Sequence, residues 1–325
     1  MKINNSITEV SGVKVGHAQN LEAGTGCTVI IIEKGATAGV DVRGAAPGTR
    51  ETDLLDPSNT VQEVHGIYLS GGSAFGLEGA AGVVEYLEKK GIGFQAGPVK
   101  VPIVPGAVIF DLDIGESSVR PDKKMGYQAC LNSENISTYD GCVGAGTGAT
   151  VGKYHGISRC MKSGLGTACI KKGELVVGAL VVVNAFGDII NPVNGKILAG
   201  ALDETQRNFS KQGFLSPLNN HIFPENRPFI QNTTLGVVAT NALLSKAEAR
   251  RLSMSAHDGF ARCILPSHTL YDGDVIFSLA TGETTTNLAQ LNMLAAHVVS
   301  LAIQNAVLKA STMFGIPSHT DLSFK

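Results

Sequence analysis

The stretch Leu175-Val176-Val177-Gly178-Ala179-Leu180-Val181-Val182-Val183 is the longest apolar run in the sequence. A strand with one face in water alternates apolar and polar residues, but this run is apolar at both sets of alternate positions. We therefore predict a strand that is buried on both faces. Other elements of the fold must cover each of those faces.

Predicted strands and helices are mixed in the rest of the chain, which indicates an α/β fold. Strands are predicted at 66–70, 235–240 and 275–279, and a hairpin at 27–33 and 37–43 with its turn at Lys34-Gly35. Helices are predicted at 77–87, from Ser245 with its Ser245-x-x-Glu248 capping box, and from about 287 to 309. With the two apolar carboxy-terminal segments, this pattern predicts two strand layers, each covered by helices, in one undivided domain of residues 1–325.

The composition is that of a large globular chain without a strong overall charge. The 325 residues are 43% hydrophobic and 17% charged, with a net charge of -2. Such a chain has no basic field to attract a phosphate backbone, so nucleic-acid binding is excluded as its main function. The low charge predicts that much surface is buried between the subunits of a homo-oligomer.

Other sequence features concern location and cofactors. The six cysteines show no C-x-x-C pair, which predicts reduced thiols and a cytoplasmic protein. The amino terminus lacks the apolar core of a secretory signal. Polar residues interrupt the carboxy-terminal apolar stretch, so we predict no membrane span. The eight histidines form no cluster with zinc spacing, and we predict no metal site.

A polar segment at 208–232 lacks sustained periodicity and is predicted to be a long loop that ends at Asn232-Thr233-Thr234. If the Thr233 hydroxyl attacks the Asn232 carbonyl, hydrolysis of the resulting ester leaves Thr233 with a free α-amine. An α-amine has a pKa of about 7.7 to 8.0 and can act as the base that a threonine hydroxyl needs. Taken alone, this tripeptide is more often a loop end whose side chains bond to the backbone.

Asp272 and Asp274 form a second candidate group. They stand at positions i and i+2 as the chain enters the predicted strand at 275–279, so both carboxylates point to one face and could flank one hydroxyl and one ammonium. Close like charges raise one pKa, so one acid can remain a proton donor while the other fixes the α-ammonium. An Asp-Gly-Asp turn before a strand is the alternative interpretation.

Two glycine-rich segments resemble catalytic or phosphate-binding motifs but lack residues that those motifs require. Gly71-Gly72-Ser73-Ala74-Phe75 resembles a nucleophile elbow, but Phe75 stands where the closing glycine should be, so a tight helix entry is favoured. Gly152-Lys153 resembles the end of a phosphate-binding loop. Thr147, however, stands at the first glycine position, and Tyr154 replaces the residue that would bind magnesium.

Five motifs together resemble the L-aminopeptidase/D-esterase family of N-terminal-nucleophile hydrolases, and they cover nearly the whole chain in order. They are Gly24-Thr25-Gly26-Cys27-Thr28-Val29, Val40-Asp41-Val42-Arg43-Gly44, Leu69-Ser70-Gly71-Gly72-Ser73-Ala74-Phe75-Gly76-Leu77, Asn232-Thr233-Thr234 with Val238-Ala239-Thr240-Asn241, and Asp272-Gly273-Asp274-Val275-Ile276-Phe277. The family includes β-peptidyl aminopeptidases and the aminohexanoate-oligomer (nylon-oligomer) hydrolases.

The resemblance implies a four-layer αββα sandwich like that of ornithine acetyltransferase. It also implies self-cleavage into a large chain of residues 1–232 and a small chain of residues 233–325, no cofactor, and oligomers of the cleaved pair.

Position by position, the resemblance implies a set of site residues. Thr233 matches the nucleophile, Asn232 the residue before the cut, Asp272 and Asp274 the acidic pair, Lys153 a site lysine, and Asn184 an oxyanion-stabilising asparagine. Ser73 and Phe110 are the predicted substrate-pocket residues, and Phe110 stands where the nylon-oligomer enzymes have tyrosine. The aminopeptidase branch differs, because it typically has serine as nucleophile and Ser-Gly-acid in place of Asp272-Gly273-Asp274.

The leading hypothesis is a cytosolic, self-processing aminopeptidase that acts on short peptides or aminoacyl amides and esters, with nylon-type oligomers as an alternative substrate. The first rival is an acyltransferase of the ornithine acetyltransferase type, which would be expected to show Ala-Thr-Met at the scissile region. Gln231-Asn232-Thr233-Thr234 does not match that pattern. The second rival is a non-catalytic scaffold of the same fold whose loop stays intact.

Overall fold

The computed structural model describes residues 2–4, 6–135, 140–206, 208–210 and 232–322. Most of the long loop predicted at 208–232 lies outside these residues.

Strands and helices are mixed along the described chain. The strands are β1 (Lys2–Asn4), β2 (Lys14–Asn20), β3 (Thr25–Val42), β4 (Thr49–Arg50), β5 (Glu63–Ser70), β6 (Phe94–Ala96), β7 (Val99–Val101), β8 (Gly106–Val108), β9 (Thr150–Val151), β10 (Met161–Lys162), β11 (Leu165–Lys172), β12 (Leu175–Asn184), β13 (Asp188–Ile190), β14 (Ile197–Ala199), β15 (Thr233–Ala242), β16 (Ile264–Leu265) and β17 (Val275–Thr284). The α-helices are α1 (Ala80–Lys89), α2 (Lys123–Asn132), α3 (Lys246–Cys263) and α4 (Leu288–Leu308). The predicted strands at 66–70, 235–240 and 275–279 are thereby confirmed, as are the three predicted helices.

Ten strands form one hydrogen-bonded sheet in the order β1-β11-β12-β15-β17-β3-β5-β8-β4, with β2 paired to β3. Neighbouring strands are antiparallel except β15 with β17 and β5 with β8, which are parallel. Strands β15 and β17 therefore lie in the interior of the sheet, between β12 and β3.

The predicted hairpin at 27–43 is wrong, because β3 is one strand of 18 residues. Its first half pairs with β2 and β5, and its second half, from Thr37 onward, pairs mainly with β17. The register shifts between Ile31 and Ala36, where Gly35 has φ +82°. Lys34-Gly35 is thus part of a bulge rather than a turn. A bulge bends its strand and increases the local twist, so the two strand layers are halves of one folded sheet.

The side chains pack in four layers. Helices α3 and α4 cover the outer face of the β11-β12-β15-β17 half, and α1 and α2 cover the outer face of the β2-β3-β5 half. A central cluster fills the space between the two halves and draws on β3, β5, β12, β15 and β17. The expected αββα arrangement is confirmed.

Strand β12 shows why both of its faces had to be apolar. Val177, Val181 and Val183 lie in the cluster beneath α3 and α4, whereas Leu180 and Val182 lie in the central cluster. All five are fully buried. The prediction of a strand covered on both faces is confirmed.

Among the described residues, α4 is the one helix long and apolar enough to cross a membrane by length and composition. In the structure 56% of the most apolar 18-residue stretch of this helix is buried. It packs on β11, β12 and α3, so its apolar composition is explained by its place in the core.

The six cysteines are free thiols, and all except Cys142 are buried. Burial raises the pKa of Cys27 to about 12 and that of Cys169 to about 11. The prediction of mostly buried thiols is confirmed, and the raised pKa values of Cys27 and Cys169 keep these two thiols protonated and unreactive.

We expect the capping box of α3 to contribute to stability. The Ser245 hydroxyl accepts from the Glu248 amide at 3.3 Å, and the Glu248 carboxylate accepts from the Ser245 amide at 2.8 Å. Ser245→Ala removes the first acceptor and should lower the free energy of unfolding by ~1 kcal/mol in urea titrations. Ser245→Thr keeps the hydroxyl and serves as the control. An equal loss in both variants would contradict a capping role.

Candidate active site

The site forms where three strands of the sheet begin or end. Strand β12 ends at Asn184, β15 begins at Thr233, and the chain enters β17 just after Asp274. Asn184 is the register partner of Thr233, and an isolated parallel bridge joins Asn232 to Asp272. Because β15 pairs with a strand on each edge, residues far apart in sequence meet at its first residue.

The carbonyl oxygen of Asn232 accepts two hydrogen bonds. The Thr233 hydroxyl donates to it at 2.5 Å, and the Gly273 amide donates to it at 2.8 Å. Asn232 is fully buried and Thr233 is 4% exposed. The peptide bond between them is therefore screened from bulk water, and its carbonyl is polarised by two donors.

Gly273 lies too close to the Thr233 side chain to carry a side chain of its own. A Cβ atom there would stand 2.7 Å from the Thr233 hydroxyl oxygen and 2.5 Å from the Ala46 carbonyl oxygen. A glycine is thus required by the close approach of three backbone segments at this point.

Asp274 is held by backbone and side-chain donors. Its Oδ1 accepts from the Thr234 amide at 2.7 Å. Its Oδ2 accepts from the His268 amide at 3.2 Å and lies 2.8 Å from His268 Nδ1. The carboxylate is 1% exposed and reaches the start of β15 through Thr234.

Asp272 lies beside the same strand start. Its Oδ2 accepts from the amide and hydroxyl of Thr269 at 2.9 and 2.5 Å, and its Oδ1 accepts from the Phe186 amide at 3.4 Å. Burial, with the nearby charge of Asp274, raises the pKa of Asp272 to about 6. Within the described contacts neither carboxylate hydrogen-bonds the Thr233 side chain, and both bond instead to residues that surround it.

Lys153 and Asn184 are buried together. Asn184 Oδ1 accepts from Lys153 Nζ at 2.8 Å and from the Thr150 amide at 3.1 Å. Asn184 Nδ2 donates to the Phe110 carbonyl at 2.8 Å, so one of its amide hydrogens is already used. Burial lowers the pKa of Lys153 to about 8. The oxyanion role of Asn184 stays a prediction.

A cavity of about 290 Å³ opens beside Thr233. Ser73 and Phe110, the two predicted pocket residues, line the wall of this cavity together with Thr233. The other lining residues are small or aliphatic: Ala46, Pro47, Gly48, Ala74, Val108 and Ile109. None of these described lining residues carries a charge. Ser73 begins a 3-10 turn that leads into α1, as the favoured helix-entry interpretation requires.

Sequence reasoning missed three groups of this site: His268, Thr269 and the amide of Gly273. His268 and Thr269 lie only a few residues before Asp272, but nothing in their spacing indicates that their side chains turn back onto the acids. Gly273 was visible only as the middle of a turn, and its contact with Asn232 depends on the pairing of β15 with β17.

A family model supports this picture. The model of Peptidase family S58 matches residues 5–321, nearly the whole chain. The chain belongs to peptidase family S58. It is therefore a hydrolase of peptide or amide bonds, which confirms the family resemblance seen in the sequence and favours hydrolysis over the transferase and scaffold rivals.

Curated relatives agree with this assignment. The chain is 40% identical to an uncharacterized aminopeptidase of Mycobacterium bovis, with 98% of each chain covered. It is 33% identical to a 6-aminohexanoate-oligomer endohydrolase of a Kocuria species, with 84% of this chain and 74% of that protein covered.

A solved structure supports the fold. The L-aminopeptidase D-Ala-esterase/amidase of Ochrobactrum anthropi, described as a variant of the Ntn hydrolase fold, superposes with a TM-score of 0.72. The alignment covers 96% of this chain and 88% of that one at 19% sequence identity.

The raised pKa of Asp272 predicts a pH dependence of stability. Between the unfolded pKa of about 3.9 and the folded pKa of about 6, the folded state holds a proton that the unfolded state has released. The contribution of Asp272 to the free energy of unfolding is therefore fully present below about pH 4 and is lost as pH rises through about 6. Asp272→Asn cannot lose a proton, so its stability relative to its parent should rise by ~2 kcal/mol from pH 4 to pH 7.

The measurement is urea unfolding at both pH values, with Thr233→Ala as the parent so that every chain is uncut. Asp258→Asn removes an exposed carboxylate of α3 and serves as the control. A difference between Asp272→Asn and its parent that does not change with pH would contradict the prediction.

Proposed function

We propose that this protein cuts its own chain between Asn232 and Thr233 and then hydrolyses amides with the terminal Thr233. The observation that supports this proposal most directly is the pair of donors on the Asn232 carbonyl: the Thr233 hydroxyl at 2.5 Å and the Gly273 amide at 2.8 Å. The hydroxyl that would attack and the amide that would stabilise the oxyanion of the tetrahedral intermediate already converge on one carbonyl.

The cut is an N-to-O acyl shift followed by hydrolysis. Thr233 Oγ1 attacks the carbonyl carbon of Asn232, and negative charge develops on the carbonyl oxygen beside the Gly273 amide. One preorganised donor of this kind contributes ~3 kcal/mol to such a step. The carbon–nitrogen bond to Thr233 then breaks, and the hydroxyl proton is transferred to the departing nitrogen. Water hydrolyses the ester, which leaves the Asn232 carboxylate and a free Thr233 amine.

The same residues serve in turnover. The Thr233 amine takes the proton of its own hydroxyl, since an α-amine has a pKa of about 7.7 to 8.0 and titrates near neutral pH. Asp274 holds the start of β15, and Asp272 stands beside it as a proton donor. Asn184 stabilises the oxyanion of the acyl-enzyme step, and Lys153 adds positive charge.

The substrate we propose is a short peptide or aminoacyl amide with a free amino end. The aminopeptidase name of the Mycobacterium bovis relative supports this class. The oligomer hydrolase of Kocuria supports linear aminohexanoate oligomers as a second substrate, and the uncharged, partly aliphatic wall formed by Val108 and Ile109 suits such a chain. We further propose that the cleaved pairs assemble into a cytoplasmic homo-oligomer.

Intact-mass measurement of the purified protein tests the cut. We expect two chains, residues 1–232 and 233–325, that remain associated. Thr233→Ala removes the attacking oxygen and should give a folded, uncut and inactive chain, whereas Thr233→Ser and Thr233→Cys keep a nucleophilic atom and should still cut. Activity is measured in parallel on aminoacyl p-nitroanilides and on linear aminohexanoate oligomers.

Thr234→Val is the matched control for this series. The Thr234 hydroxyl is buried and has no hydrogen-bond partner among the described residues, so valine of similar shape should fold and cut normally. Full activity from a wild-type chain that stays entirely intact would overturn the mechanism. Thr234 or Ser73 would then become the candidate nucleophile.

Two substitutions of Asn184 separate its two roles. Asn184→Ala should lower kcat by ~100-fold because it removes an oxyanion donor. Asn184→Asp keeps the acceptor for Lys153 and Thr150 but loses the amide hydrogens, so kcat should fall by a similar factor while the melting temperature stays nearer to wild type. A kcat close to wild type in Asn184→Asp would assign the residue to structure alone.

A further inference from the structure

His268 contacts the acidic pair but has no place in the mechanism described so far. It precedes Asp274 by six residues, in the segment between β16 and β17, and its φ of +56° is uncommon for a residue with a side chain. That backbone conformation brings both its amide and its ring onto one carboxylate oxygen, Asp274 Oδ2, at 3.2 and 2.8 Å. Strained residues of this kind are concentrated at functional sites.

The geometry fixes how His268 interacts with Asp274. A carboxylate oxygen accepts hydrogen bonds, so we assign Nδ1 of the ring as the donor to Oδ2. Both described donors to Oδ2 come from His268, while the other oxygen, Oδ1, accepts from the Thr234 amide. His268 therefore determines which way the carboxylate faces.

We propose that His268 is a positioning residue that holds the Asp274 carboxylate beside Asp272 and aims it at the start of β15, which gives the two acids different roles. This inference rests on the proposed function for its meaning in catalysis. It concerns the division of roles between the two acids, which no motif of the sequence decides.

The surroundings of His268 support this assignment. Its ring packs against the His257 ring of α3 with centroids 4.9 Å apart, and against Phe260 at 6.0 Å. Behind His257 lie Asp41, whose carbonyl is 3.0 Å from His257 Nε2, and Arg43, which pairs with Asp41. Burial lowers the pKa of His257 to about 4, so this neighbour stays neutral near pH 7 and adds no charge beside the acids.

The charge of Asp274 is in turn one of the causes that raise the pKa of Asp272, second to burial. If the His268 ring is removed, the Asp274 carboxylate loses one of its hydrogen-bond donors. Without that donor the ionised forms of the pair are less stable, so the titration of the pair should move to higher pH.

The test compares self-cleavage rates of full-length chains made by cell-free translation, followed by intact mass between about pH 4 and 8, a range that spans carboxylate titration. His268→Ala should slow the cut by ~10-fold, which corresponds to one lost hydrogen bond to a charged group, and should shift the inflection of the pH profile to higher pH. His268→Asn keeps a side-chain donor and should retain the wild-type inflection. His297→Asn, at an exposed position of α4, is the control and should behave as wild type.

A second readout does not depend on cleavage. In uncut Thr233→Ala chains, the pH dependence of urea unfolding reports the titration of the acidic pair, and His268→Ala should shift that titration to higher pH. Failure of the wild type to cut would overturn the proposed function, but this readout would still decide the role of His268. An unchanged inflection in folded His268→Ala, or the same shift in His268→Asn, would overturn the inference.

Discussion

The site depends on one constraint: strand β15 is hydrogen-bonded on both edges, antiparallel to β12 and parallel to β17. All ten of its residues are buried. Side chains alternate between faces with a period of two, so a slip of one residue on either edge would turn Thr233 to the opposite face of the sheet. The two neighbouring strands prevent such a slip, and the same pairing fixes Asn184 and Asp272 relative to the peptide bond between Asn232 and Thr233.

This placement comes with an electrostatic cost that the backbone offsets. Lys153, Asp272 and Asp274 are each at most 2% exposed. The carboxylates accept from the amides of Phe186, Thr234, His268 and Thr269, and the ammonium donates to Asn184. Buried charges remain tolerable when they are hydrogen-bonded, and here most of the donors are amides whose positions the sheet and its connecting segments fix. The site is therefore preorganised by backbone rather than by mobile side chains.

Sequence reasoning succeeded where the relevant interactions are local. The apolar run of β12, the Ser245 cap and the helix after Asn287 are each specified by neighbours within a few residues. It failed at Lys34-Gly35 because a positive-φ glycine serves a turn and a bulge equally well, and the choice is made by β17, more than two hundred residues later. The contacts of Asn184 with Phe110 and of Asp274 with His268 depend on tertiary pairing and φ angles that no spacing reveals.

The strand order has a consequence for a chain that is cut between Asn232 and Thr233 as proposed. Residues 233–325 supply β15, β17, α3 and α4, and their two long strands are inserted between β12 and β3 of the preceding segment. The fragments would therefore be held together by an interchain ladder on each side and by a shared core. Neither fragment could leave without rupturing the middle of the sheet, so the severed protein would unfold as one cooperative unit. Reassembly from separated fragments would require both partners to fold together, as in fragment complementation.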